Sequence, residues 1–345
     1  MFKQNLKFSL VLGLIFLVSA CDSAAPKSYP FNYSGPIMGT SFNIKASELP
    51  EAVSVTQLQN AIKVRLDAIN QRMSTYLKDS ELSVINQQKT LQAQAVSAEL
   101  FKVLTAAKVI NKKSLGAFDI TVGPLVNLWG FGTEGAKFSA PEMSAVQKIL
   151  ATTGDKYWSL FPENSKLQKQ HVDLSLDLSA LAKGYAVDEV ALVMESYGVH
   201  DYLVEIGGEL RLKGHNLQGE KWHIAIEKPT INKRELQKVI PVTGTAMATS
   251  GDYRNFFEQD GKRFSHTIDP RTGYPITHQL ASVTVLHVSS MMADAWATAL
   301  MVLGAEEGYK IAKKEQLAAF FIIKKQQGFA EQATPLFTKY TRVEK

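Results

Sequence analysis

The chain has 345 residues, of which 45% are hydrophobic and 21% are charged. This composition is ordinary for a globular protein and allows one large domain or two small ones. The net charge of +5 is mild and the basic residues form no arm or stripe, which argues against a nucleic-acid-binding protein. A small anionic ligand is compatible with this charge.

The N-terminus has the pattern of an export signal followed by a tether. Lys3 and Lys7 precede an apolar run over residues 8–18, and small residues stand just before position 21. A positive start, a short apolar stretch and small residues at the cleavage point are typical of a secretory signal peptide, which we assign to residues 1–20. The run is too short to cross a bilayer comfortably, since that takes about 20 apolar residues. Residues 21–33, with two prolines and several small polar side chains, are predicted to be a tether.

Cys21 is the only cysteine of the chain and directly follows those small residues. This arrangement resembles the lipobox of bacterial lipoproteins, whose cysteine is lipidated and becomes the new N-terminus. The alternative is a plain signal peptide with an incidental cysteine, but a lone cysteine has no disulfide partner to explain it. Asp22 follows, and in enterobacterial lipoproteins an aspartate there usually means retention at the inner membrane. We therefore expect a lipid anchor at Cys21 on the periplasmic side of the inner membrane.

Beyond the tether, apolar periodicity predicts both helices and strands, with no repeat of fixed period. The predicted helices span residues 61–73, 99–110, 141–150, 180–196 and 292–303. The predicted strands span residues 172–178, 202–206, 209–212, 223–226, 239–242, 282–288 and 318–323. Pro141 is expected in the first turn of its helix, and Gly198 and Gly304 are expected to end theirs. Because the elements follow no regular βαβ rhythm and no linker interrupts residues 34–340, we predict one α+β domain over residues 34–345 with mixed sheets and flanking helices.

Asp294 and Thr298 stand four residues apart within a predicted helix. On a helix this spacing puts both oxygens on one face, one turn apart. A carboxylate and a hydroxyl suit a hard cation such as Mg²⁺, which takes oxygen ligands and leaves positions for phosphate. The structural alternative is an Asp favoured by the helix dipole and a Thr bonded to a backbone carbonyl, and spacing alone favours that alternative.

Residues 177–188 lie where a predicted strand turns into a predicted helix. A helix N-terminus presents free N–H groups to an anion, and Lys183 would add a positive charge for a phosphate. One alternative is that Asp177 or Ser179 serves as the helix N-cap, which we expect of Ser179 in any case. The other is that Lys183 lies on a solvated helix face.

Two further segments are weaker candidates. Residues 116–132 concentrate Gly, Pro and aromatic side chains, so the backbone could approach a flat ligand and Phe118 or Trp129 could pack against it. Aromatic residues more often lie in a core. His266 lies in a turn-rich stretch, where its imidazole could act as a general base near neutral pH or could simply stabilise the turn.

The sequence motifs of several common enzyme and binding-site classes are absent from the chain. The chain contains no P-loop, no G-x-G-x-x-G after a strand, no H-E-x-x-H and no cysteine pair for zinc. Lipidation would also remove the single cysteine from thiol chemistry.

In combination and in this order, the segments resemble one known family. The matching motifs, between about residue 36 and residue 304, are Ile37-Met-Gly-Thr-Ser, Met73-Ser-Thr-Tyr, Asp79-Ser-Glu-Leu-Ser, Gly116-Ala-Phe-Asp-Ile-Thr-Val-Gly-Pro-Leu, Asp177-Leu-Ser-Ala-Leu-Ala-Lys-Gly-Tyr-Ala-Val-Asp, Glu205-Ile-Gly-Gly-Glu-Leu, Ala248-Thr-Ser-Gly-Asp-Tyr, His266-Thr-Ile-Asp-Pro-Arg-Thr-Gly and Ala293-Asp-Ala-Trp-Ala-Thr-Ala-Leu. They are similar to those of the ApbE family, the FAD:protein FMN transferases.

The resemblance implies a T-fold-related domain and an enzyme that splits the pyrophosphate of FAD. Such an enzyme links FMN through a phosphoester to a Thr or Ser of a target protein and releases AMP. By position, Asp294, Thr298 and the backbone carbonyl of Ala180 would hold Mg²⁺, and His266 would be the essential catalytic histidine. The residues that would line the FAD site are Met38, Tyr76, Ala117, Phe118, Asp119, Asp177, Lys183 and Ile268. The implied acceptors resemble the flavinylated subunits of sodium-pumping NADH:quinone oxidoreductase and of the related electron-transport complex.

Two other functions compete with the transferase. A hydrolase of the same fold would split FAD into FMN and AMP without a protein acceptor, and a flavin-binding lipoprotein would only hold FAD. A pure binder would need neither the Asp294/Thr298 pair nor His266. Oxygen ligands suit Mn²⁺ as well as Mg²⁺, so the residues do not choose between these ions.

Overall fold

The computed structural model describes residues 29–132, 135, 139–230, 235–253 and 255–340. The predicted signal peptide, the predicted lipidation site Cys21 and residues 21–28 of the predicted tether lie outside the described residues. The first strand begins at Phe31, three residues before the domain boundary expected at residue 34. Tyr29 already stacks on Trp222, with the two rings 5.9 Å apart.

Eight α-helices form in the described residues. They are α1 (Val55–Met73), α2 (Glu81–Gln87), α3 (Ala98–Lys113), α4 (Gly123–Leu128), α5 (Met143–Leu150), α6 (Ala182–Ser196), α7 (Ser290–Lys314) and α8 (Pro335–Tyr340). In this part of the chain, no helix combines the length and the apolar character that crossing a membrane requires.

The described strands are mostly short. They are β1 (Phe31–Ile37), β2 (Thr40–Ala46), β3 (Gln94–Ala95), β4 (Trp158–Phe161), β5 (Lys166–Lys169), β6 (Tyr202–Ile206), β7 (Glu209–Lys213), β8 (Trp222–Glu227), β9 (Leu236–Val242), β10 (Thr245–Gly251), β11 (Phe256–Gln259), β12 (Lys262–Ser265), β13 (Ile268–Asp269), β14 (Tyr274–Pro275), β15 (Leu280–His287), β16 (Ala318–Lys324) and β17 (Phe329–Ala333).

One eight-stranded sheet organises the domain. Its strand order is β1-β2-β6-β7-β10-β15-β16-β17, and every neighbouring pair is antiparallel. The predicted α+β class is confirmed, and the antiparallel pairing is a narrower arrangement than the mixed sheets expected. An antiparallel sheet can leave one face to solvent, but here a hydrophobic core lies on each face.

The two faces of the sheet carry two different cores. Side chains alternate along a strand, so Ala319 and Phe321 of β16 join the larger core, which α1, α3, α6 and α7 cover. Phe320 and Ile322 point the other way, into a smaller core that the β8–β9 ribbon and α8 cover. A third cluster joins α4 and α5 to β11 and β13, and contains Trp129.

The strand predicted over residues 172–178 is wrong. The segment is a turn followed by a loop that joins no sheet, although Leu174, Leu176 and Leu178 are buried as the alternation suggested. The amide side chain of Asn86 takes the place of a strand partner, since it donates to the carbonyl of Leu176 at 2.8 Å and accepts from its N–H at 2.8 Å. Alternation therefore predicted the burial but not the pairing.

Two predicted helix starts also differ from the structure. Helix α5 begins at Met143, so Pro141 lies before the helix rather than in its first turn. Helix α6 begins at Ala182 after Leu181, which has no side-chain capping bond, so Ser179 is not the N-cap. Asp177 accepts hydrogen bonds from both the N–H and the hydroxyl of Ser179. The side chains of both residues are therefore engaged in this local turn rather than in capping the helix.

The helical conformation stops at both glycines that were predicted to end a helix, Gly198 and Gly304. Gly198 follows α6 with a φ of 76°, as a glycine after a helix end commonly does. Gly304, with a φ of 77°, leaves the helical conformation inside α7, but a second helical segment continues to Lys314. The first helical segment therefore stops at Gly304 as predicted, and the second segment follows it directly.

Candidate active site

A large cavity lies at one end of the main sheet, between α6, α7 and the turn-rich segments. Its volume is about 710 Å³, within the range of cavities that bind small molecules and cofactors. All but one of the residues implied by the resemblance line it: Tyr76, Ala117, Phe118, Asp119, Asp177, Ala180, Lys183, His266, Ile268, Asp294 and Thr298.

Met38 is the exception. It lies in the tight turn between β1 and β2 with a φ of 48°, and its partly buried side chain packs against the larger core. It is not among the residues that line the cavity.

A close approach of α6 and α7 positions the polar end of the cavity. A Cβ atom on Gly184 would lie 2.3 Å from the carbonyl oxygen of Ser290, so only glycine permits this contact. The approach lets the carboxylate of Asp294 accept a hydrogen bond from the N–H of Gly184 at 3.2 Å. Asp294 is 3% exposed, so its carboxylate faces the cavity from a buried position.

Lys183 lies between two buried carboxylates. Its Nζ is 3.6 Å from Oδ2 of Asp294 and 3.7 Å from Oε2 of Glu209, and it donates to the carbonyl of Ser179 at 3.0 Å. Burial alone would lower the pKa of Lys183, but the two carboxylates outweigh it and raise the pKa above its usual value. The alternative of a lysine on a solvated helix face is therefore wrong, and the ammonium stays charged beside the cavity.

The residues implied to hold a metal present oxygen atoms only. Asp294 and Thr298 lie one turn apart on α7, and Ala180 lines the cavity beside Lys183. The hydroxyl of Thr298 lies 3.4 Å from that of Ser250, so it points toward β10 and the cavity. Burial raises the pKa of Asp294 against the opposing charge of Lys183. A cation would relieve this desolvated carboxylate, so the set fits Mg²⁺, which binds through few carboxylates and keeps other positions for phosphate.

His266 has a defined hydrogen-bonding state. Its Nδ1 lies 3.0 Å from the carbonyl oxygen of Asn255, which also accepts from the backbone N–H of His266 at 3.1 Å. Because a carbonyl only accepts, Nδ1 carries the proton in this bond and Nε2 keeps its lone pair. Burial lowers the pKa of His266, so the imidazole is neutral at physiological pH. A neutral imidazole with a free Nε2 can accept a proton.

The segment rich in glycine and aromatic residues divides between cavity and core. Phe118 and Asp119 belong to the cavity lining, although Phe118 is 2% exposed and also lies in the larger core. Asn111 anchors both through hydrogen bonds to the Phe118 carbonyl and the Asp119 carboxylate. Trp129 instead packs in the third cluster and donates its indole N–H to the carbonyl of Gly273 at 2.9 Å. The core alternative therefore holds for Trp129.

A model of the ApbE family matches residues 38–321 of this chain. The chain belongs to the ApbE family. An FAD:protein FMN transferase of Vibrio cholerae is 44% identical over 96% of this chain and 98% of its own length. One of Haemophilus influenzae is 41% identical over 96% of this chain and 98% of its own length. The solved structure of flavin transferase ApbE from Vibrio cholerae is 45% identical and has a TM-score of 0.84, covering 90% of this chain and 98% of that chain.

In this ApbE-family chain, sequence reasoning assigned no role to Glu209. The sequence contained a signal for this residue, because Glu209 lies in the family-like motif Glu205-Ile-Gly-Gly-Glu-Leu. Gly207 and Gly208 have φ values of 60° and 99°, which allow the tight turn that starts β7 at Glu209. Burial raises the pKa of Glu209 to about 8 against the nearby charge of Lys183, and its Oε2 has no hydrogen-bond partner in the described structure. The carboxyl can therefore join the polar end of the cavity.

The close helix contact at Gly184 leads to a stability prediction for this ApbE-family fold. We expect Gly184→Ala to lower the free energy of unfolding by about 1–3 kcal/mol or more, because the added methyl group would overlap the Ser290 carbonyl. Urea denaturation followed by circular dichroism measures the change. Leu192→Ala, at an exposed position of the same helix, is the control and should cost less. An equal loss in both variants would contradict the close-contact explanation.

Proposed function

We propose that this chain is an Mg²⁺-dependent FAD:protein FMN transferase that attaches FMN to a Thr or Ser hydroxyl of another protein and releases AMP. The observation that carries the proposal is one cavity lined by a neutral histidine, a partly buried lysine and the oxygen donors of Asp294, Thr298 and Ala180. The names of the relatives support the same reaction.

The cavity has the two kinds of surface that FAD requires. Ala117, Phe118, Ile268 and Val126 supply apolar wall, and Tyr76 is 68% exposed at the cavity, where a flat ring can stack on it. The ammonium of Lys183 supplies positive charge for the pyrophosphate. These features support a binding mode with the ring systems in the apolar part and the phosphates at the end formed by α6 and α7.

Two groups of the chain are suited to the transfer itself. His266 accepts the proton of the acceptor hydroxyl at Nε2 while the hydroxyl oxygen bonds to the phosphorus on the FMN side. The bond from that phosphorus to the AMP oxygen breaks, and AMP leaves with the electron pair. Lys183 holds the phosphates in line for this displacement. A bound Mg²⁺ would neutralise negative charge on the pyrophosphate, and Asp294, Thr298 and Ala180 would hold it.

The location of the reaction is part of the proposal. The lone Cys21 after a signal-like leader supports a lipid anchor on the periplasmic side of the inner membrane. There the enzyme would meet its acceptors, which we propose to be flavin-carrying subunits of sodium-pumping NADH:quinone oxidoreductase or related complexes.

The decisive experiment incubates residues 22–345 with FAD, Mg²⁺ and an acceptor domain. We expect AMP release to match covalent flavin fluorescence on the acceptor in a denaturing gel, because one AMP leaves for each FMN attached. A reaction without acceptor is the control. AMP release without labelled acceptor would instead indicate a hydrolase, and FAD binding without any AMP would indicate a binding protein.

A further inference from the structure

The first turn of α7 is capped by a residue from another helix. Asp188 of α6 accepts hydrogen bonds from the backbone N–H groups of Ser290 at 2.9 Å and Met291 at 3.1 Å. It also accepts from the hydroxyl of Ser289 at 2.6 Å, and that hydroxyl in turn accepts from the N–H of Met292 at 3.3 Å. The N–H groups that a helix start leaves without intrahelical partners are thus satisfied here.

The capping is reciprocal. While Asp188 of α6 caps the start of α7, Asp294 of α7 accepts from the N–H of Gly184 in the first turn of α6. Asp188 and Asp294 are 8% and 3% exposed, so these bonds are shielded from water and hold the two helix starts in one arrangement. Arg211 of β7 lies 3.1 Å from Oδ1 of Asp188 and ties the pair to the main sheet.

From this arrangement we infer that Asp188 is a positioning residue for the metal-binding face of α7. Asp188 does not line the cavity. Its cap sets where the first turn of α7 starts, and Asp294 and Thr298 follow on that helix one and two turns later. The inference rests on the proposed function, because it requires that these two residues bind the metal ion.

The test measures Mn²⁺ binding by electron paramagnetic resonance on the full-length protein, without FAD or acceptor. Asp188→Asn keeps the size of the side chain but turns an amide N–H₂ toward hydrogen-bond donors. We expect it to weaken Mn²⁺ binding by about 10- to 100-fold, the usual effect of losing an outer support of a metal site. Ser289→Ala, which removes one donor to Asp188, should weaken binding to a smaller extent.

The control is Ser97→Ala, which removes the side-chain cap of α3. It should lower the melting temperature without changing Mn²⁺ affinity, because α3 carries no metal ligand. Unchanged affinity in a folded Asp188→Asn variant would overturn the inference, and if that variant does not fold, unchanged affinity in Ser289→Ala would overturn it. Absence of Mn²⁺ binding by the unmodified protein would count against the metal in the proposed function instead.

Discussion

Replacing Asp294 with Asn is expected to reduce FMN transfer by about a thousandfold or more. The amide oxygen can still accept from the N–H of Gly184, so the contact between α6 and α7 remains. The variant loses the only carboxylate of the proposed metal set, and metal ions supply several kcal/mol to such reactions, with each 1.4 kcal/mol equal to a factor of ten in rate. Initial rates of covalent flavin labelling at saturating FAD and Mg²⁺ measure the effect.

Glu306→Gln provides the matched control for this prediction. Glu306 lies in the helical segment of α7 that follows Gly304, on an exposed face, where it accepts a hydrogen bond from Lys310 at 2.7 Å. Its replacement should leave the labelling rate unchanged. A loss of less than about tenfold for Asp294→Asn would show that transfer does not depend on this carboxylate.

Replacing His266 with Gln is expected to slow transfer by about 10²- to 10⁴-fold and to leave FAD affinity nearly unchanged. The range is that of general-base catalysis, and glutamine cannot accept the hydroxyl proton at neutral pH. Fluorescence titration with FAD and single-turnover labelling separate binding from transfer. A large loss of FAD affinity with normal transfer at saturation would mean that His266 binds FAD rather than moving a proton.

The pH dependence of transfer provides a second test of His266 as the general base. The neutral imidazole is the active form, so kcat/KM should fall as the pH decreases through the pKa of His266. Burial lowers that pKa, and the midpoint of the fall should therefore lie below the usual histidine value of about 6.5. His223→Gln, at a half-exposed histidine of β8, should keep the unmodified profile. A midpoint above 6.5 would contradict the proposed environment.

Much of the fold could be predicted because local periodicity and burial agree in its regular elements. Strand β6 has the predicted bounds, Tyr202–Ile206. Ile62, Leu66 and Ile69 of α1 repeat at helical spacing and are buried. Residues 172–178 could not be assigned in the same way. Their alternation comes from burial against helices, and the partner of Leu176 is the side chain of Asn86, ninety positions away.

The candidate site shows the same division. The sequence by itself determined the family and predicted that Asp294 and Thr298 share one helix face. It also marked Lys183 and His266 as candidate site residues, because residue types and short spacings carry that information. Only the tertiary structure decided that Lys183 lies between two buried carboxylates, that the Asn255 carbonyl selects the His266 tautomer, and that Glu209 joins them. These properties depend on desolvation and on contacts between distant segments, and the physical cause lies in how α6, α7 and β7 pack rather than in any local pattern.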